Sequence, residues 1–172
     1  MAGEVLETDR LLLRELTPED LDAFAGILGD PETMRYYPRP YSREETVEAI
    51  DRARRSYEEH GFGKWALVLK ASREFLGYCG LTLQEVDGEK LVEVGYVLKR
   101  SHWRQGLATE AAAACRDYAF DVIRVDRVIA LVRVGNEASA GVAGKIGLVL
   151  WKHTTRAGLD HFVFSMARPS TA

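Results

Sequence analysis

A short basic turn between an apolar segment and an alanine-rich segment is the part of this sequence best suited to chemistry. Residues 92–98 are mostly apolar, and the turn that follows them leads directly into the alanine-rich residues 107–115. A helix that begins there leaves its first backbone N–H groups without partners and adds partial positive charge to them. The pattern predicts an anion-binding turn, suited above all to a pyrophosphate. Its residues are Arg104, Gln105, Gly106, Leu107, Ala108 and Thr109.

The sequence of this turn differs from those of the common phosphate-binding motifs. Neither G-x-x-x-x-G-K-[ST] nor G-x-G-x-x-G occurs in the chain. Residues 103–111 read W-R-Q-G-L-A-T-E-A. This string resembles motif A of the GNAT N-acetyltransferases, in which a [Q/R]-x-x-G-x-[G/A] turn binds the pyrophosphate of acetyl-coenzyme A. The form W-x-x-G-x-A-T-E-A is the usual wording of the RimJ/RimL-type branch.

Two more segments carry the same resemblance. Residues 7–20 are similar to the opening of that branch, and residues 136–147 match its N-x-x-S-x-x-V-x-x-K-x-G motif. The resemblance implies one GNAT domain over residues 1–172, with a core at about 7–167. It also implies an enzyme that transfers acetyl from acetyl-coenzyme A directly to a primary amine in a ternary complex. A catalytically silent module that binds or senses acyl-coenzyme A is the alternative.

The elements that position this turn alternate between strands and helices. A Thr-Pro-Glu-Asp start at 17–20 and a Ser-x-x-Glu start at 42–45 predict the first two helices. Strands are predicted at 10–16, 65–70, 75–85, 90–99, 126–134, 148–155 and 159–167, with later helices at 106–122 and 139–146. The order β-α-α-β-β-β-α-β-α-β-β predicts an α/β (α+β) fold, with a mixed, mostly antiparallel sheet flanked by helices on both faces.

Glu93 is the leading candidate for the base that deprotonates the amine. It lies between Val92 and Val94 in an apolar strand, where desolvation would raise the pKa of its carboxyl toward a useful value. The alternative is a glutamate that faces solvent or pairs with an arginine. Glu85 is a second candidate base, and a chain of waters is a third route for the proton.

The resemblance assigns further ligand contacts on the strand and on the last helix. The pantetheine arm would lie along Tyr96, Val97 and Leu98, with Gly95 as a bulge or as an ordinary interior glycine. The same resemblance implies that Asn136 would bond the pantetheine amide; its alternative role is a loop cap. It also implies that Ser139 would bond the leaving sulfur, and a role as helix N-cap is the alternative or can hold as well. Several GNAT branches use a tyrosine on this helix as general acid. None occurs in residues 136–147, which makes Ser139 or water the nearest donor.

Composition narrows the class of protein and its partners. With 172 residues, 47% hydrophobic and 28% charged, the chain reads as one soluble globular domain without a signal or membrane segment. The net charge of −3 argues against nucleic acid and is compatible with a cationic amine. Cys79, Cys115 and the isolated histidines lack metal or disulfide spacing, so reduced cysteines, a cytoplasmic location and no metal are expected. The identity of the amine and the existence of a homodimer stay open.

Overall fold

One continuous sheet of eight strands organises residues 3–171, the part of the chain that the computed structural model describes. The strands are β1 Glu4–Glu7, β2 Leu11–Glu15, β3 Lys64–Leu69, β4 Phe75–Val86, β5 Glu89–Leu98, β6 Arg127–Arg133, β7 Val149–Arg156 and β8 Leu159–Ala167. The helices are α1 Leu21–Leu28, α2 Arg43–His60, α3 Leu107–Tyr118 and α4 Glu137–Lys145. The strand order is β1-β2-β3-β4-β5-β6-β8-β7, and only β5 and β6 run parallel to each other within the described residues.

The N-terminal strand β1 is an addition to the predicted order. It has four residues whose two glutamates are exposed, so its own pattern carries little signal. It becomes a strand because the turn at residues 8–10 brings it against β2, where Glu7 pairs with Leu12. The remaining predicted strands and helices are present with bounds shifted by a few residues.

The helices cover both faces of the sheet, as predicted. Side chains of α1 and α2 pack with Ala66, Tyr78 and Val97 on one face. Those of α3 and α4 pack on the other face, where the core includes Trp65. The mixed α/β fold is therefore confirmed.

Two cysteines that the sequence does not relate to each other meet in the core. Cys79 on β4 and Cys115 on α3 are both fully buried. Their sulfurs lie 3.6 Å apart, within hydrogen-bond distance, and no disulfide joins them. Burial raises the pKa of the Cys115 thiol, which keeps it protonated and inert.

A fork between β5 and β6 is the feature that positions the site. The two strands pair only at Val92–Val128 and Glu93–Ile129. Beyond this point β5 continues to Leu98 and β6 continues to Arg133, but the two strands no longer pair with each other. This leaves a gap in the sheet between β5 and β6. A bulge at Gly95 was one of two predictions for that glycine, and it is wrong, because the β4–β5 register runs without a shift from Gly77–Leu98 to Val86–Glu89.

Candidate active site

The edge of β5 that faces the gap carries open backbone groups. The Val97 carbonyl faces β4, since a side chain on Gly77 would collide with it. Backbone groups alternate in direction along a strand, so those of Tyr96 and Leu98 face the gap. The Leu98 carbonyl accepts a hydrogen bond from Trp103 Nε1 at 2.7 Å. Of the three residues predicted to pair with pantetheine, Tyr96 and Leu98 therefore present their backbone to the gap, and Val97 does not.

The turn after β5, called the cradle below, has the backbone geometry that an anion-binding turn requires. Arg104 and Gly106 adopt left-handed backbone angles, with φ of 60° and 78°, and α3 begins at Leu107. Within residues 3–171, no backbone carbonyl bonds the N–H groups of Arg104, Gln105 or Gly106, and all three residues are exposed. Alternating right- and left-handed residues at a helix N-terminus point consecutive N–H groups at one spot. These residues fit a pyrophosphate, together with the first turn of α3 that carries Ala108 and Thr109.

Glu110 ties this cradle to the turn between β1 and β2. Its carboxylate accepts hydrogen bonds from Thr8 Oγ1 at 2.6 Å and from Arg10 Nε at 2.7 Å. Arg10 Nη1 in turn donates to the Gln105 carbonyl at 2.9 Å. Burial alone would raise the pKa of Glu110, but the bonds from Thr8 and Arg10 outweigh it and hold the pKa below its usual value. Sequence reasoning quoted Glu110 within the motif and missed its role and that of Arg10.

Asn136, and not Ser139, is the N-cap of α4. The Asn136 side chain accepts a hydrogen bond from the Ser139 backbone N–H at 3.2 Å. The alternative prediction of Ser139 as helix cap is therefore wrong: the helix begins two residues earlier, at Glu137. The Ser139 hydroxyl therefore does not cap the helix, and it contacts β5 instead.

The Ser139 hydroxyl meets a tyrosine that sequence reasoning did not count as a donor. Tyr96 Oη donates a hydrogen bond to the Ser139 carbonyl oxygen at 3.0 Å and also lies 3.0 Å from Ser139 Oγ. Burial raises the pKa of the Tyr96 phenol, which keeps it protonated at working pH. This tyrosine lies on β5 and not on the last helix, where several GNAT branches carry theirs. The alternation of side chains along β5 was the available signal, because it sends Tyr96 to the face that α4 covers.

Glu93 lies at the fork, on the opposite face of β5 from Tyr96. Its Oε2 accepts a hydrogen bond from Gln84 Nε2 at 2.8 Å, and no cationic nitrogen lies within 4.0 Å of it in residues 3–171. Burial raises the pKa of the Glu93 carboxyl, while Lys64, Gln84 and Arg156 oppose that shift. The prediction of a partly buried carboxyl with a raised pKa agrees with this geometry. Arg156 does not contact Glu93 directly. Its guanidinium donates a hydrogen bond to Gln84 Oε1 at 2.7 Å, and Gln84 in turn bonds Glu93.

Glu85, the second candidate base, is placed differently. It is exposed and pairs with Lys90 near the end of the β4–β5 hairpin. Thr82, which pairs with Glu93, is three residues away along β4, so the alternation turns Glu85 to the opposite face from Glu93. Tyr96 and Ser139 therefore meet on one face of β5, Glu93 lies on the other face at the fork, and Glu85 belongs to neither group.

The segment between α1 and α2 closes over the Glu93 side of the gap. Tyr36 Oη donates to the Gly135 carbonyl at 3.1 Å, which links this segment to the loop after β6. A cavity of about 20 Å³, enough for one water, lies beneath it. Its polar lining residues are Tyr37, Tyr41, Arg52, Lys64 and Tyr78. A larger cleft of about 590 Å³ lies elsewhere, between the end of β2 and α2, and Glu93, Tyr96 and Ser139 do not line it.

Residues 3–171 contain no group of three or more histidine, cysteine, aspartate or glutamate side chains placed to hold a metal ion. None of the helices described there has the length and apolar character required to span a membrane.

A protein-family comparison decides the family. The model of the acetyltransferase (GNAT) domain matches residues 10–149. The chain belongs to the GNAT acetyltransferase family. It is similar to the uncharacterized protein YkkB of Bacillus subtilis, with 38% identity over 144 residues that cover 83% of this chain and 84% of that protein. The uncharacterized N-acetyltransferase YoaA of the same organism is 30% identical over 173 residues, covering 96% and 97%. The prediction of an acetyltransferase enzyme is confirmed.

Solved structures share the fold along nearly the whole chain. An acetyltransferase from Agrobacterium tumefaciens superposes with a TM-score of 0.82 at 29% identity, covering 94% of this chain and 92% of that one. RimL, a ribosomal L7/L12 α-N-protein acetyltransferase solved with coenzyme A, gives 0.79 at 17% identity, covering 96% and 98%. Spermidine N-acetyltransferase from Vibrio cholerae, solved with coenzyme A and spermine, gives 0.76 at 16% identity, covering 94% and 97%. The last two likenesses show the shared fold only.

Proposed function

We propose that this protein transfers an acetyl group from acetyl-coenzyme A directly to a primary amine, through a ternary complex. The observation that carries the proposal is the fork between β5 and β6, with an anion cradle at its open end. A base candidate lies on one face of the fork and a hydroxyl pair on the other. RimL and the spermidine enzyme, which share this fold, were solved with coenzyme A. The wording of residues 103–111 favours the RimJ/RimL-type branch.

The cofactor side of the gap has three contact regions. The N–H groups of residues 104–109 bind the pyrophosphate, with charge from the N-terminus of α3. The open backbone groups of Tyr96 and the N–H of Leu98 pair with the pantetheine arm, while the Leu98 carbonyl is held by Trp103. Asn136 uses its carbonyl oxygen to cap α4 and keeps its amide nitrogen for a pantetheine carbonyl. Bound in this way, acetyl-coenzyme A supplies the thioester.

The two faces of β5 divide the chemistry between them. On the Glu93 face, the carboxylate takes a proton from the acceptor ammonium and leaves a nucleophilic amine. On the opposite face, the Tyr96 phenol turns its proton from the Ser139 carbonyl to the leaving sulfur as that sulfur gains negative charge, and the Ser139 hydroxyl donates a second hydrogen bond to it. No serine or cysteine nucleophile stands at the fork among residues 3–171 with a base beside it, which supports transfer without an acyl-enzyme. The buried free cysteines fit a reducing, cytoplasmic environment.

A thiol-release assay tests this function. Purified protein and acetyl-coenzyme A are mixed with a panel of N-terminal peptides, amino acids, polyamines and aminoglycosides, and free coenzyme A is measured. Turnover with any amine supports the proposal. Binding of acetyl-coenzyme A in calorimetry without turnover on any amine would instead assign a silent acyl-coenzyme A-binding module. Absence of binding would refute both.

A further inference from the structure

Two adjacent glycines leave a bare strip of sheet beside Glu93. Lys64 pairs with Gly80 on β4, and Gly80 pairs with Gly95 on β5, so the three residues form one row across the strands. Thr82 pairs with Glu93 two positions along, which places Glu93 on the same face as this row. With strands about 4.8 Å apart, the strip separates Lys64 from the gap by roughly 10 Å of backbone without side chains.

The space available for a side chain differs between the two glycines of the strip. A side chain at Gly80 would collide with the Gly63 carbonyl and the Lys64 backbone, so packing alone requires glycine there. A Cβ at Gly95 would approach only the Glu93 carboxylate, whose Oε1 would lie 3.5 Å away. Packing therefore does not require glycine at position 95. What glycine does there is to keep space clear immediately beside Glu93.

Lys64 stands at the far end of the strip without a salt-bridge partner in the described residues, and the Glu93 carboxylate on which its charge acts lies farther than 4.0 Å away. No carboxylate oxygen lies within 4.0 Å of its Nζ in residues 3–171, whereas three other lysines there have such partners. The Lys64 Nζ lies over the face of the Tyr78 ring, 4.7 Å from the ring centre. Lys64 is partly buried, and a partly buried ammonium is stabilised by an anion. Arg52 also lines the adjoining cavity, but it is paired with Glu48 at 3.7 Å, so Lys64 is the cation there without a salt-bridge partner among the described residues.

We infer that the acceptor carries a carboxylate a few bonds from its reacting amine, and that Lys64 binds this carboxylate across the glycine strip. The inference rests on the proposed function. The amine lies beside Glu93 at the fork, and the carboxylate extends over Gly95 and Gly80 toward the Lys64 ammonium. Free amino acids and peptides with an acidic residue near the N-terminus both have this chemistry. A polyamine instead brings a positive charge toward Lys64, which disfavours it.

Matched acceptors test the charge preference. The substrates are free amino acids, the same amino acids as carboxamides, peptides with glutamate or glutamine at the second position, and spermidine. We expect the carboxylate form to exceed its amide in kcat/KM by about tenfold or more. Lys64→Gln should remove most of this ratio through a higher KM, Lys64→Arg should keep it, and Lys64→Glu should shift preference toward spermidine. Lys90→Gln is the control, since Lys90 is an exposed lysine of β5 outside the strip.

The outcomes separate this inference from the proposed function. Equal or better use of the amides or spermidine by the wild type, or an unchanged ratio in a folded Lys64→Gln, would overturn the inference while transfer itself stands. If Lys64→Gln does not fold, wild-type salt dependence decides instead. Added salt should then lower kcat/KM for the carboxylate form more than for its amide, and equal loss overturns the inference. No thiol release with any acceptor would overturn both.

Discussion

The contact between Tyr96 and Ser139 gives the sharpest test of how the site works. Tyr96→Phe removes the phenol oxygen that lies 3.0 Å from Ser139 Oγ and from the Ser139 carbonyl, and leaves the ring in place. Loss of one partly buried hydrogen bond should lower the free energy of unfolding by only about 1 kcal/mol. Loss of one donor to a developing negative charge costs about 100-fold to 1,000-fold in turnover when the contact is direct.

The expected loss in kcat is smaller than that upper range. Two hydroxyls share the proposed contact with the leaving sulfur, so each single change leaves the other donor present. We expect Tyr96→Phe and Ser139→Ala each to lower kcat by roughly 10-fold to 100-fold, with little effect on coenzyme A affinity. Because each single variant keeps one donor and the double variant keeps neither, the double variant should lose at least the product of the two single losses.

The assay is thiol release at saturating acetyl-coenzyme A with one good acceptor, paired with calorimetry for coenzyme A and thermal unfolding. Tyr118→Phe is the matched control, because Tyr118 packs edge-on against Trp65 on the same side of the sheet and belongs to no proposed contact. Wild-type kcat in both Tyr96→Phe and Ser139→Ala would refute the reasoning. So would a rise in KM with kcat unchanged, which would assign the pair to binding.

Three further variants test the cradle, the base and the anchor of α3. Gly106→Glu should abolish coenzyme A binding in calorimetry, whereas Gly61→Glu, with a similar φ of 77° but far from the cradle, should not; equal binding by both would remove the cradle from the site. Glu93→Gln should lower the rate by about 100-fold or more, mostly on the acidic side of the profile, where free amine is scarce. A pH–rate profile that matches wild type, or an equal loss in Glu85→Gln, would make Glu93 structural. Glu110→Gln should lower the free energy of unfolding by about 1–3 kcal/mol at neutral pH, because it weakens charged hydrogen bonds to the β1–β2 turn. Since folding lowers the pKa of Glu110, this contribution is complete above the unfolded pKa of about 4.3 and is lost as pH falls through the lower folded value, so denaturant curves that show no difference at pH 7 would contradict it.

Local sequence determined the parts of this protein whose partners are close along the chain. Ser42 and Glu45 cap α2 with reciprocal bonds three residues apart, as predicted. The turn at residues 104–109 likewise takes its shape from its own backbone, since a positive φ and a helix start are local properties. Hydrophobic alternation and turn residues located most of the strands. The fold itself followed from the family resemblance, which covers nearly the whole chain.

Only the tertiary structure decided which distant groups meet. Tyr96 and Ser139 are 43 residues apart, and Arg10 and Glu110 are 100 residues apart. No periodicity in one sequence pairs such residues, because the contact depends on strand register and on where β5 and β6 separate. Alternation along β5 places Glu93 on the face opposite the Tyr96 side chain that meets Ser139 of α4, and the β3–β4–β5 register puts Lys64 in line with two glycines. Sequence therefore supplied the chemical groups and the local backbone, while strand pairing determined which of them share a site.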